Sequence, residues 1–201
     1  MKIISSTSLN IFWALIAFIL YPSISYGVNL DETTNFPKSD YQISSHCHNV
    51  KGSQTCKVYL LQDVEKTKIL DFPSPPSSVK LQHDVFIILF PCGTQCSATY
   101  FYSKKNGLDG PYPLIVDYDL EREIALSIAK NPIQIHKLFK SRKNKAYKSI
   151  TLDLPLDNKF DPSSIVDAHI DKNSITIEYI NQMGEQTTAS YVITEEDTIH
   201  K

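Results

Sequence analysis

The residues with chemical capability are few and scattered, so their spacing decides what they can do. Asp117 and Asp119 sit two apart, which on a strand puts both carboxylates on one face. With His136 as a third titratable group they would form the acid–base set of a small hydrolase acting on cell-wall or glycan material. His46-Cys47-His48, with Cys56 nearby, supplies ligand types that zinc accepts. On a strand, however, Cys47 points away from the two histidines, which leaves too few converging donors. No metal or other cofactor is expected. Cys92 and Cys96 are spaced C-x3-C, not the C-x-x-C of a thioredoxin-like redox site. The chain has no G-x-S-x-G elbow, no glycine-rich phosphate loop and no H-E-x-x-H. It assembles no recognisable catalytic set.

Two other features suit binding. Lys137 to Lys148 (KLFKSRKNKAYK) is the densest charge cluster, basic throughout, with Lys140, Arg142, Lys143 and Lys145 interleaved with apolar residues and Tyr147. Such a cluster steers an anionic partner surface. Tyr100-Phe101-Tyr102 alternates on a strand, so Tyr100 and Tyr102 share one face, expected as an exposed contact stripe, and Phe101 takes the other.

The elements that hold these residues follow from composition and pattern. The chain has 201 residues, 42% hydrophobic, with 20 Lys and Arg against 22 Asp and Glu. That balance excludes a basic nucleic-acid binder and a disordered acidic tail. Lys2, the ten-residue apolar run Ile11 to Leu20, and Ser25 and Gly27 at the −3 and −1 places make residues 1–27 a cleaved signal peptide. The run is half the roughly 20 residues a spanning helix needs, so the mature chain carries no transmembrane segment. The protein is expected to be exported, periplasmic or secreted. An even cysteine count there reads as two disulfides. Four cysteines allow three pairings; Cys47–Cys56 and Cys92–Cys96 are favoured because each brackets a turn-rich segment.

Residues 28–40 are polar and patternless and read as a flexible leader, followed by one domain over 41–201. Within it, 57–61, 68–72 and 97–103 read as strands, and Asp84 to Phe90 (DVFIILF) as a strand buried on both faces. Asn106 to Pro113, with two glycines and two prolines, reads as a long turn. Leu120 to Ala129 fits either a helix capped by Asp119 or a strand after a charged turn, and strand is preferred. A loose repeat supports that preference: Leu61-Gln62-Asp63, Ile115-Val116-Asp117 and Ile165-Val166-Asp167 each place an Asp two residues after Leu or Ile, 54 and 50 residues apart, and each precedes a second apolar strand. The last third, with SITIEYI at its centre, alternates as a meander with one solvated face. The fold class is all-β: antiparallel hairpins and meanders, as propeller-like repeats or a β-sandwich, pinned by two disulfides.

From these features the leading expectation is an exported, non-catalytic binding protein that engages a protein partner. It would act as a periplasmic inhibitor or immunity protein does, blocking a toxic or lytic enzyme by steric occlusion. The contact residues would be Tyr100, Tyr102, Lys140, Arg142, Lys143, Lys145 and Tyr147. The alternatives are the small hydrolase above and a structural subunit of an envelope complex.

Overall fold

The computed structural model describes residues 30–37, 39–50, 52–93, 96–128, 133–140, 146–154 and 164–194. The expected signal peptide therefore lies outside the described residues, as do Arg142, Lys143 and Lys145. The protein is nearly all β, with fifteen strands and no α-helix among the described residues. Among them no helix is long and apolar enough to cross a membrane.

The strands form four antiparallel sheets, each a meander of consecutive strands. The first holds β1 (Leu30–Asn35), β2 (Tyr41–Val50), β3 (Ser53–Gln62) and β4 (Glu65–Phe72). The second holds β5 (Ser78–Gln82), β6 (Val85–Gly93), β7 (Cys96–Ser103) and β8 (Gly107–Pro113). The third holds β9 (Ile115–Asp119), β10 (Ile124–Ile128), β11 (Ile133–Lys137) and β12 (Lys148–Ile150). The fourth holds β13 (Ile165–Ile170), β14 (Ser174–Ile180) and β15 (Gln186–Val192).

The side-chain period of two decides how the sheets stack. In β6, Phe86, Ile88 and Phe90 pack with Ile43, Val58 and Leu60 of the first sheet. Their neighbours Val85 and Ile87 pack with Ala125 and Leu138 of the third sheet's side. A second alternation operates in β10, where Leu126 and Ile128 turn toward Ile175 and Ile177 of the fourth sheet. The inner sheets are thus apolar on both faces. The two end faces are polar: Asp31, His46, Lys66 and Tyr59 cluster on the first sheet, and Asp167, His169 and Asp171 on the fourth.

Three segments differ from the sequence reading. The supposed flexible leader contributes β1, whose residues pair with β2 from Leu30 opposite Cys47 to Asn35 opposite Gln42. Backbone pairing at a sheet edge needs no apolar pattern, so this strand left no trace in composition. The supposed turn over 106–113 is largely β8, paired with β7 on one side only. An edge strand tolerates Pro111 and Pro113 because its outer side has no ladder bond to lose. Gly110 is obligatory there: at φ +118° a Cβ would stand 2.8 Å from the Thr99 carbonyl oxygen. The third concerns the repeat. Asp117 and Asp167 do occupy first strands of successive sheets, but Asp63 lies in the β3–β4 turn.

Residues 120–128 form a turn and β10, as the strand preference held. The capping signal at Asp119 was real but serves that turn: its Oδ1 accepts the N–H groups of Glu121 (2.9 Å) and Arg122 (3.0 Å). Sheets two and three join through Leu114, whose N–H donates to the Ser97 carbonyl and whose carbonyl accepts from Ile128. One chain therefore passes from sheet to sheet at a single residue, as in sandwich corners.

Both favoured disulfides form. Cys47 and Cys56 stand opposite each other on β2 and β3, fully buried, whereas Cys92 and Cys96 are exposed. Mild reductant is expected to open Cys92–Cys96 first, and mass-spectrometric thiol labelling with time will show the order. Removing Cys47–Cys56 as the double alanine variant is expected to lower stability by about 2–3 kcal/mol in chemical denaturation.

Candidate functional site

The hairpin turns of successive sheets gather at one end of the stack. Lys104 of the β7–β8 turn donates to Gln62 Oε1 at the end of β3. The Tyr118 hydroxyl donates to Gln82 Oε1 beside the β5–β6 turn (3.2 Å). Leu138 N–H donates to the Glu123 carbonyl (2.7 Å), tying the end of β11 to the β9–β10 turn. Arg122 of that turn donates to the carbonyls of Asp171 and Lys172 in the β13–β14 turn.

Asp63, His83, Asp84, Glu123 and Phe139 in these turns have positive φ, between 47° and 61°. Left-handed backbone at non-glycine residues costs free energy, so it is held here by the sheets beneath. His83 and Asp84 form a two-residue hairpin loop with both residues left-handed, the geometry that matches strand twist.

The turns enclose an open cleft of about 1000 Å3. Tyr41, Val85, Phe86, Leu120 and Phe139 give it an apolar lining. Lys104 and Lys105 stand in it with Asp84, Glu121 and Glu123, so both charge signs are present. Lys140 is exposed and follows Phe139 directly. Of the basic segment expected to bind, Lys140 is therefore placed beside this cleft, while Arg142, Lys143 and Lys145 lie outside the described residues.

The other expected contact residues are placed differently. Tyr100 and Tyr102 face the first sheet and are half-buried, so they do not form an exposed stripe. Tyr100 packs edge-on to Phe90 (5.7 Å) and Phe72 (6.2 Å), and Tyr102 lies 6.3 Å from Phe86. Burial raises both phenol pKa values, with Tyr41 adding to the rise at Tyr102. Both faces of β7 are core because sheets cover it on both sides. Tyr147 is exposed, with Lys137 Nζ 3.9 Å from its ring centroid.

The hydrolase trio is not brought together. Ala125 pairs with both Tyr118 and His136, while Leu126 pairs with Asp117 and Ile135. Directly opposed residues share a face, so Asp117 and Asp119 lie on the face of the third sheet opposite to His136. Asp117 accepts the Ile170 N–H (2.7 Å), linking the third sheet to the fourth.

His136 instead belongs to a polar cluster between the second and third sheets. Its Nε2 lies 2.7 Å from Ser127 Oγ, and its Nδ1 has no partner among the described residues. The Tyr112 ring packs at 4.6 Å, and the Tyr112 hydroxyl donates to Asp109 Oδ2 (2.8 Å). Asp109 also accepts the N–H groups of Phe139 (2.6 Å) and Gly110 (3.1 Å). A serine on a histidine is the core of a nucleophilic pair, but Ser127 and His136 are 0% and 2% exposed, with no path for a substrate. Burial pushes the His136 pKa down to about 4, partly offset by the Asp109 carboxylate. Burial, the hydrogen bond to Asp109 and its charge push the Tyr112 phenol far up.

On the end faces, His46 meets Asp31 through Nδ1 (2.9 Å) and Lys66 through Nε2 (3.3 Å), so both ring nitrogens are engaged. His169 stands between Asp167 (3.1 Å) and Asp171 (3.3 Å). The hydrogen bond that its ring donates to Asp167 and the nearby carboxylates raise its pKa. Among the described residues no group of three or more His, Cys, Asp or Glu side chains could hold a metal ion.

The fold and this end surface define an all-β protein of stacked antiparallel meanders carrying an open, mixed-charge cleft. No known protein family and no curated protein sequence matches the chain.

Proposed function

We propose that this is an exported, non-catalytic binding protein that engages a protein partner through the turn end of its sheets. Its action is steric, of the kind by which a periplasmic inhibitor or immunity protein covers a toxic or lytic enzyme. The observation that carries the reading is the cleft itself: turns anchored on a stiff sheet stack, an apolar lining, and charges of both signs open to solvent. Rigid loops on a scaffold bind with little ordering cost. Lys140 would extend the contact from the cleft's edge, and Arg142, Lys143 and Lys145, outside the described residues, are proposed as further contacts on their charge alone. The two disulfides are compatible with an oxidising, exported location.

The test compares oxidised mature protein with a Lys104→Glu, Lys105→Glu, Lys140→Glu variant as bait for envelope and secreted extracts. The expected result is one stoichiometric partner that survives a salt wash on the wild type. Its affinity for the variant should fall about tenfold or more, chiefly through slower association. A partner held equally by both baits places the contact elsewhere and overturns the reading.

A further inference from the structure

The buried cluster connects directly to the cleft, because one oxygen serves both. Asp109 Oδ2 accepts from the Tyr112 hydroxyl on the core side and from the Phe139 N–H on the cleft side. Phe139 is held in a left-handed conformation (φ 61°), lines the cleft and precedes Lys140. That backbone geometry depends on its anchor.

His136 packs against Tyr112 at the other end of the same cluster. The groups around it are Ser127 on β10, Tyr118 on β9, and Tyr112 and Asp109 on β8; β6 and β7 bring only Val85, Ile87 and Phe101 to this core. Among the described residues Asp109 is the one acidic group there. A neutral imidazole fits, with one nitrogen at Ser127 and the other without a partner among the described residues. An imidazolium fits poorly: it would carry a second N–H with no acceptor in place, and its one neighbouring carboxylate, Asp109, is already engaged by Tyr112 and Phe139.

We propose that His136 is an acid sensor for the Phe139 turn: its protonation draws the Asp109 carboxylate toward the imidazolium and off the Phe139 N–H, releasing the cleft wall that carries Lys140. The proton balance is simple, one proton taken from solvent onto the unpartnered ring nitrogen. The direction follows from burial, which holds the pKa of His136 in the folded protein near 4, below the roughly 6.5 of an unfolded chain. This group therefore costs no stability above pH about 6.5; stability relative to the unfolded chain is lost as pH falls from there toward 4, and the folded protein itself takes up the proton only at the lower end of that interval. The consequence for a partner rests on the binding function proposed above; the titration does not.

The experiment is an NMR titration of the oxidised protein that follows the His136 ring and the Phe139 amide together. Both are expected to move with one midpoint far below that of an ordinary histidine. Amide protection at Phe139 should fall about tenfold between pH 7 and pH about 4, the loss of roughly one hydrogen bond. In His136→Gln the Phe139 response should disappear. A Phe139 response that persists unchanged in the variant overturns the proposal, since His136 would then not be its cause. If that variant does not fold, the wild type still decides: a His136 ring with an ordinary midpoint, or a Phe139 amide silent across it, refutes the coupling. If the titration is as expected but no partner uses the turn end, only the binding function fails.

Discussion

Phe101→Ala is expected to lower stability by about 3–5 kcal/mol, the range for emptying a fully enclosed aromatic site. Phe101 is 0% exposed on β7, an interior strand of the second sheet, and its ring meets Tyr112 at 5.9 Å and Tyr118 at 5.7 Å, both edge-on. Neither neighbour is free to fall into the void. Tyr112 is fixed through its hydroxyl by Asp109, and Tyr118 through its own by Gln82. The site cannot collapse, so the cavity term stays large. Phe101→Leu keeps most of the volume and should cost less than half as much. Denaturant unfolding of the oxidised protein measures both. A loss below about 1 kcal/mol for alanine would mean that the second and third sheets do not share this core.

Much of this architecture is written in local pattern. The strict alternation of SITIEYI identifies a one-face strand, and β14 buries alternate residues from Ile175 to Tyr179. The unbroken run DVFIILF signals burial on both faces, and β6 does place side chains in two different cores. Where the pattern misleads, the cause is position in a sheet. β1 is polar because an edge strand pairs through its backbone, and β8 hides behind Gly and Pro that only an edge admits. The Ile-Val-Asp repeat is half genuine for a similar reason. Asp117 and Asp167 begin equivalent sheets, while Asp63 is a turn residue whose spacing is coincidental.

The cleft was less legible than the sheets. Its charges come from turns of different sheets, and no local pattern says that the β5–β6, β7–β8 and β9–β10 turns will meet. The basic run from Lys137 onward is contiguous and so legible as charge, but of its expected contact cations only Lys140 lies among the described residues. Tyr100 and Tyr102 misled because alternation separates two faces without saying whether either is solvent. Ser127 and Asp109 were missed altogether. A clue existed: Ser127 is the one polar residue of IALSI, and His136 lies in the partner strand IQIHK, where Gln134 and Lys137 are polar too. Buried polar residues of that kind need one another.

Asp109→Ala is expected to cost about as much as Phe101→Ala, by a different route. The wild-type carboxylate is 6% exposed and satisfies three donors: the Tyr112 hydroxyl and the N–H groups of Phe139 and Gly110. Alanine leaves the Tyr112 hydroxyl facing a dry interior and the half-buried N–H groups of Phe139 and Gly110 without the carboxylate, at about 1–3 kcal/mol for each group left unsatisfied and less where water enters from the cleft. The Tyr112 hydroxyl has nowhere to go, since its ring is 0% exposed. Asp109→Asn retains one acceptor oxygen but presents an NH2 group to a remaining donor, so it should fall between wild type and alanine. A second effect separates this prediction from simple loss of packing. The carboxylate raises the pKa of His136 against burial, so removing it should depress that pKa further. NMR titration of the folded variant reads that shift, and denaturation reads the stability. Alanine costing no more than asparagine would show that the donors find water, which would make the cluster a wet pocket instead of the sealed junction between the second and third sheets.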